Sequence, residues 1–294
     1  MIQITVLSGK GETGKTTITA SFAVLAKKAV VADCDVDAPD LHMLLHPEIL
    51  ETQKFKGSKL AVIDEAKCIK CGLCREKCRF GAVTQNFTID PFSCEGCGVC
   101  TIVCPVNAVT LTDRISGHAY ISKIKHGFMA HAMLSPGEAN SGKLVTLVRQ
   151  NAKVLAEKEK TSLIIIDGPP RIGCPVIASV TGVDVGLVVT EPTMSGFHDL
   201  KRALRLLAHF DVLPFVCVNM YDINMDNTEK IGRFCKENDI EVIGKIPFNP
   251  MVTEAKVNGK PIIEYSPKSD VVKEIEGCLG KAFRINIGEA KKRS

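Results

Sequence analysis

Eight cysteines crowd into residues 68–104, and no other feature limits the folding of this chain as tightly. They read Cys68-Ile-Lys-Cys71-Gly-Leu-Cys74-Arg-Glu-Lys-Cys78 and Cys94-Glu-Gly-Cys97-Gly-Val-Cys100-Thr-Ile-Val-Cys104, so the spacing C-x2-C-x2-C-x3-C occurs twice. A zinc ribbon needs two separated pairs of ligands. Three thiolates at a strict three-residue interval instead wrap one many-cornered cluster and leave the fourth to reach elsewhere. The sequence holds thirteen cysteines and opens MIQITVLSGK, without a charged leader or cleavage site. Such thiols are expected to stay reduced, in a cytoplasmic setting, and to serve metal binding or catalysis rather than a disulfide framework. With 45% hydrophobic and 24% charged residues, disorder and collagen-like repeats are excluded. No run of eighteen apolar residues suggests a membrane span. The 37 Lys+Arg and 33 Asp+Glu are too evenly spread to argue for nucleic acid.

A second constraint lies at the N-terminus. Residues 2–7 read as a buried strand and residues 16–28 as a helix with apolar Ile18, Phe22, Val24 and Leu25. Between them runs Gly9-Lys10-Gly11-Glu12-Thr13-Gly14-Lys15-Thr16-Thr17, a G-x-x-x-x-G-K-T loop in strand-loop-helix context. Its backbone N–H groups are expected to cradle ATP phosphates, with Lys15 on the β/γ-phosphates, Thr16 on Mg²⁺ and the helix dipole assisting. Strands at 2–7, 29–33, 163–167, 185–190, 214–219 and 241–247 alternate with helices at 15–27, 174–181, 196–210, 226–238 and 269–285. That alternation predicts an α/β fold with a doubly wound parallel sheet, its ligand at the carboxyl ends of the strands.

The cysteine block resembles bacterial two-cluster ferredoxins over residues 60–112, including Phe80-Gly81-Ala82-Val83 and Val106-Asn107-Ala108-Val109 after the last cysteine of each run. The resemblance implies that Cys68, Cys71, Cys74 and Cys104 hold one 4Fe–4S cluster and that Cys94, Cys97, Cys100 and Cys78 hold a second. Arg79 departs from that family, which usually has Pro there. Glycines 72, 96 and 98 let backbone amides approach the sulfides. Four thiolates per cluster leave no open iron site, which favours electron transfer over substrate chemistry.

Lys10 makes the phosphate loop similar to the deviant Walker A motif, K-G-G-x-G-K-T, of the superfamily of MinD, ParA, Mrp and the nitrogenase iron protein. In that superfamily the early lysine contacts nucleotide across a dimer interface, implying an ATP-sandwiched homodimer or a heterodimer with a paralogue. Asp33-Cys34-Asp35-Val36-Asp37-Ala38-Pro39-Asp40-Leu41-His42 resembles switch I, which implies that Asp35 orients or deprotonates the attacking water. Asp167-Gly168-Pro169-Pro170 resembles Walker B and switch II, with Asp167 holding Mg²⁺ through water and Gly168 sensing the γ-phosphate. Asn219 matches the adenine-reading asparagine, and the loop at Pro247 resembles the one that packs on the base.

The whole chain thus resembles a MinD-like ATPase, residues 1–59 and 113–294, interrupted by a ferredoxin insert at 60–112 between switch I and Walker B. The implied function is a dimeric Mg-ATPase coupling ATP to electron transfer through two 4Fe–4S clusters toward a client protein. The alternative is an Mrp-type metallocluster assembly factor with the insert as accessory reductant. Neither nucleic acid nor membrane is an expected partner, and the basic Ala290–Ser294 end lacks an apolar face. Glu12 and Arg171 replace motif glycines and suggest an ion pair. Cys174 stands where the nitrogenase iron protein carries a bridging ligand, but without a second unassigned cysteine between 105 and 173 its default is a buried or gating thiol. Cys34, Cys217, Cys235 and Cys278 read as packing residues. His118, His126 and His131 fall in what reads as an irregular stretch.

Overall fold

The computed structural model describes residues 1–11, 13–138, 141–170 and 173–293, with side chains to residue 283. The expected Glu12–Arg171 pair, and Asn140, lie outside the described residues. In chain order the elements are β1 (Ile2–Leu7), α1 (Lys15–Ala26), β2 (Ala29–Asp33), α2 (His42–Leu45), β3 (Glu48–Phe55), β4 (Ser58–Ile63), α3 (Leu73–Glu76), α4 (Val99–Ile102), β5 (Val109–Arg114), β6 (Gly117–Ile124), β7 (Gly127–Leu134) and α5 (Ser141–Lys158). There follow β8 (Leu163–Asp167), α6 (Cys174–Val180), β9 (Val185–Thr190), α7 (Met194–His209), β10 (Leu213–Asn219), α8 (Met225–Glu237), β11 (Glu241–Ile246), α9 (Pro250–Val257), α10 (Ile262–Tyr265) and α11 (Asp270–Arg293). Among the described residues no helix is long and apolar enough to cross a membrane. The chain divides into two compact units, residues 1–52, 119–133 and 141–294 in the first, and 53–118 and 134–140 in the second.

A nine-stranded sheet runs in the order β11-β10-β9-β1-β8-β2-β7-β6-β3. From β11 to β7 every neighbouring pair is parallel. Strands covered by helices on both faces need apolar side chains on both, which is why Leu163-Ile164-Ile165-Ile166 and Val185–Val189 are wholly buried. One core packs Ile4, Val6, Phe22, Ile165, Leu187, Cys217 and Cys278 with Val271 and Ile275 of α11. Another joins Ala20 and Ala23 of α1 to Val31, Leu41, Leu44, Ile124 and Met129. Cys34, Cys217, Cys235 and Cys278 are buried, as packing residues should be.

The stretch carrying His118, His126 and His131 is not irregular. It forms β6 and β7, joined by the turn Lys125-His126. The apolar pattern is masked there because Ser122 and His131 are buried polar residues that satisfy each other, Ser122 Oγ to His131 Nε2 at 2.8 Å, while Tyr120 stacks on the imidazole.

The second unit is wider than the cysteine spacing alone marks. Its flanks are fastened by polar contacts: Ser116 N donates to Phe55 O, Ser135 N to Ser116 O, Ser58 Oγ to Glu138, and Arg114 pairs with Glu138. Inside it, an offset of 26 residues relates two halves, Asp64 to Asp90, Cys68 to Cys94, Cys78 to Cys104 and Ala82 to Ala108. The halves bond reciprocally. Asp64 N donates to Ala108 O (2.7 Å) and Asp90 N to Ala82 O (2.8 Å). Ile63 pairs antiparallel with Val109, and the equivalent Ile89 with Val83. Cys68 N and Cys94 N bond Asp64 O and Asp90 O, and each three-cysteine run enters a four-residue helix through a left-handed glycine, Gly72 (φ 86°) or Gly98 (φ 80°).

Candidate functional site

The register of the sheet builds the first site. Asp33 at the end of β2 lies beside Asp167 at the end of β8, which lies beside Val6 of β1, so two acids and the start of the Gly9–Thr17 loop meet at the carboxyl edge. Gly14 caps α1 in a left-handed conformation, and a Cβ there would strike the Asn219 amide. The site therefore needs glycine at 14 for both conformation and space.

Asp167 is fully buried and accepts three hydrogen bonds: from Lys15 Nζ (2.8 Å), Thr16 Oγ1 (2.9 Å) and Thr19 Oγ1 (2.8 Å). Burial opposes the charge on Lys15, but Asp167, with Asp33 and Asp35 behind it, outweighs that and holds its pKa above the ordinary lysine value. Asp33 is pushed well up by burial and by the charge of Asp167, and one of its carboxyl oxygens is buried without a partner among the described residues. Asp35, half-buried, is raised to about 6, chiefly by burial; the charges of Asp167 and Asp40 add, while Lys15 and the Ala38 amide oppose. A cleft of about 300 Å³ is lined by Ser8, Gly11, Gly14, Lys15, Thr16, Thr17, Asp35, Asp40, Pro170 and Lys256.

The remaining expected positions are placed as follows. Gly168 N donates to Val6 O (2.9 Å) and its Cα faces Leu7 too closely for a side chain. Gly9 is similarly pressed against Asp199. Asn219 Nδ2 donates to the Thr13 carbonyl (2.9 Å), and Thr13 is buried with its hydroxyl unpartnered among the described residues. Pro247 precedes Phe248, whose amide donates to Asp222 (2.7 Å). Lys10 does not line the cleft. Its ammonium pairs with Glu191 at 2.5 Å and reaches Ser195 at 3.4 Å. Cys174 is exposed at the start of α6, which rules out the buried half of the expected buried or gating thiol. Sequence reasoning missed Thr19, although its place one turn after Lys15 on the same helix face was a usable signal. It also missed Glu191 as the partner of Lys10, and Lys256, which pairs with Asp40 at 3.5 Å and carries no motif.

In the second unit Cys78, Cys94, Cys97 and Cys100 line one cavity, with Ala61, Phe80, Ala82, Val83, Ile89 and Val99 as apolar walls. The fourth cysteine of the first run is thus brought to the three of the second. Cys68 and Cys71 act electrostatically on Cys74, whose thiol is raised first by burial. The amide of Ala108 donates to Cys104 Sγ (3.2 Å), and burial of that thiol is outweighed by the amides of residues 106–109, which lower it. Among the described residues no three His, Cys, Asp or Glu side chains are set to hold a single metal ion.

Residues 4–262 match the family model of the CobQ/CobB/MinD/ParA nucleotide binding domain. An uncharacterised protein of Methanocaldococcus jannaschii is 38% identical over 234 residues, covering 77% of this chain and 81% of its own length. An iron-sulfur cluster carrier protein of Pyrococcus abyssi is 28% identical over 144 residues, 44% of this chain and 48% of its own. Among solved structures, the septum site-determining protein MinD of Pyrococcus horikoshii, complexed with Mg-ADP, superposes with a TM-score of 0.61 at 16% identity over 97% of this chain and 96% of its own, a likeness of fold.

Proposed function

Because the chain belongs to the CobQ/CobB/MinD/ParA family of nucleotide-binding P-loop proteins, we propose that it is a dimeric Mg-ATPase that couples ATP binding and hydrolysis to electron transfer through two 4Fe–4S clusters toward a partner protein. The observation that carries the redox half is the set of four thiols, Cys78, Cys94, Cys97 and Cys100, around one cavity. Four cysteines spaced C-x2-C-x2-C-x3-C with one thiol supplied by the other run suit a polynuclear cluster better than one ion. The reciprocal 26-residue repeat supports the matching set, Cys68, Cys71, Cys74 and Cys104. When bound, such clusters supply one-electron redox chemistry.

At the nucleotide cleft the chain's own residues divide the work. Lys15 is a charged, buried cation that exchanges Asp167 for the β/γ-phosphates, and Thr16 and Asp167 provide the oxygens for Mg²⁺. The P. horikoshii MinD, alike in fold, is complexed with Mg-ADP, in keeping with a nucleotide at such a cleft. Asp35 lines the cleft and takes the proton of the attacking water, or orients it. Lys10, now on Glu191, is the residue proposed to cross to a second subunit. The second reading, a metallocluster assembly factor, is favoured by the iron-sulfur cluster carrier relative. Against it, no C-x-x-C lies outside 68–104 in this sequence.

The test is chemical analysis of anaerobically purified protein, with about eight irons and eight acid-labile sulfides expected per chain. About four irons, or tightly held zinc, would overturn the two-cluster assignment. Lys15→Ala should abolish Mg-ATP binding while leaving the iron content intact.

A further inference from the structure

The internal repeat makes the second unit its own control. Positions 26 apart share backbone conformation and hydrogen bonding, so the local backbone does not demand most chemical differences between them; Gly96 is an exception, because a Cβ there would strike the Lys59 carbonyl. The first half carries five cations, Lys67, Lys70, Arg75, Lys77 and Arg79; at the equivalent positions the second half has Ser93, Gly96, Thr101, Val103 and Pro105. Residues 64–79 sum to +2 and residues 90–105 to −2. Lys70 adopts φ 54°, the left-handed conformation that favours glycine, and its counterpart is Gly96 at φ 63°. Lys70 carries an exposed side chain in that left-handed conformation, whereas at 96 the Lys59 carbonyl leaves room for glycine alone.

All five cations are exposed. Lys67 and Lys77 are paired with Asp64 (3.3 Å) and Glu76 (2.8 Å), while Arg79 lies over the Phe80 ring; among the described residues Lys70 and Arg75 join no ion pair. Between them stand exposed Ile69, Leu73 and Cys71. An exposed aliphatic centre with a polar, charged rim is an arrangement that protein interfaces use. The second half exposes Phe92 and Ile102, each 83% accessible; its own charges are Asp90 and Glu95, and Arg114 of β5 donates to the Pro91 carbonyl beside them.

We infer that the face of the first cysteine run, centred on Cys71 and rimmed by Lys70, Arg75 and Arg79, is the docking surface for an acidic one-electron carrier protein. Complementary charge accelerates encounter and fixes orientation, and the aliphatic centre brings the exposed cysteine close to the partner. The inference rests on the two-cluster reading. With a cluster held by Cys68, Cys71, Cys74 and Cys104, one electron would pass to it from a reduced low-potential carrier, leaving the carrier oxidised and this chain reduced, with no proton or covalent bond changed.

The experiment uses full-length anaerobic protein and an acidic bacterial ferredoxin as probe. Binding of the oxidised proteins is measured by calorimetry from low to high salt, and reduction by pre-reduced ferredoxin is followed by stopped flow. The variant combines Lys70→Gly, Arg75→Thr and Arg79→Pro, residues the second half already accommodates. It should bind about tenfold more weakly at low salt and lose most of the salt dependence of both binding and rate. Reduction by methyl viologen radical, a small cation, should not slow. Unchanged binding and salt dependence in the variant would overturn the inference, as would a loss confined to Phe92→Ser/Ile102→Ser. Iron analysis on the same samples separates the two levels: fewer than about eight irons in wild type removes the cluster reading itself, whereas full iron with unchanged docking removes only this surface.

Discussion

Asp167 organises the nucleotide site because it is a fully buried carboxylate whose oxygens are shared by a lysine and two threonines from one helix. Its neighbours inherit the electrostatic consequences. Asp35, raised to about 6 mainly by burial, is ionised at neutral pH but close enough to its titration point for acid to matter. As pH falls below about 6 the carboxylate takes a proton and can no longer accept one from water. Turnover is therefore expected to fall about tenfold for each pH unit in that range. Asp35→Asn should lower kcat by about a hundredfold or more, leave the ATP dissociation constant within about threefold, and abolish the acid limb. A pH–rate profile of both proteins decides it; an acid limb that persists in Asp35→Asn assigns the titration elsewhere. Of the residues gathered here, Lys15 and Thr16 were expected from the spacing of the G-x-x-x-x-G-K-T loop, and Asp35 and Asp167 from the resemblance of their segments to switch I and Walker B; the fold sets all four at one edge of the sheet. Lys256 and Glu191 were not expected, because an ion pair between distant segments leaves no periodic trace.

At the scale of elements the same contrast separates the middle of the sheet from its side. β8 and β9 were legible as near-continuous apolar runs, since both of their faces are covered. β6 and β7 were not, because a buried serine and a buried histidine replace apolar residues and satisfy each other. That pair has a measurable signature. Burial, with the nearby His42 charge, lowers His131 to about 4 from an ordinary value of 6.5. Between those values the unfolded chain binds the proton and the folded chain does not. Stability from this group is thus complete above about pH 6.5 and is lost as pH falls toward 4, by up to about 3 kcal/mol. His131→Gln keeps a hydrogen-bonding group for Ser122 but does not titrate. The stability difference between wild type and His131→Gln, from denaturant unfolding, should change in favour of the variant as pH falls from 7 to 4. A difference constant across that range would show that His131 does not titrate with this shift.

For the whole molecule, the two units differ in what can hold them together. The first has large apolar cores on its sheet, with Phe22, Ile165, Leu187 and Phe215 among the buried residues. The second has roughly seventy residues, and its buried apolar side chains are mostly small: Ala61, Ala82, Val83, Ala108 and Val109, with Phe55 at its edge. So small a core seldom folds without a staple, and the proposed cluster ligation would supply one. The expectation of that ligation came from the cysteine spacing. The width of the unit was not legible there, because Ser58, Arg114 and Glu138 fasten it through polar contacts far apart in sequence. Oxidation and chelation that strip the iron from the intact chain should therefore act unequally, as read by hydrogen exchange. The amides of Asp64, Cys68, Asp90 and Cys94, bonded within and between the two halves, should lose protection. Those of β1, β8 and β9 should keep theirs, and Mg-ATP affinity should stay within about threefold. Retained protection at Asp64 and Asp90 would show a unit stable on its packing alone. Loss of protection in β8 along with them would show that the two units unfold as one.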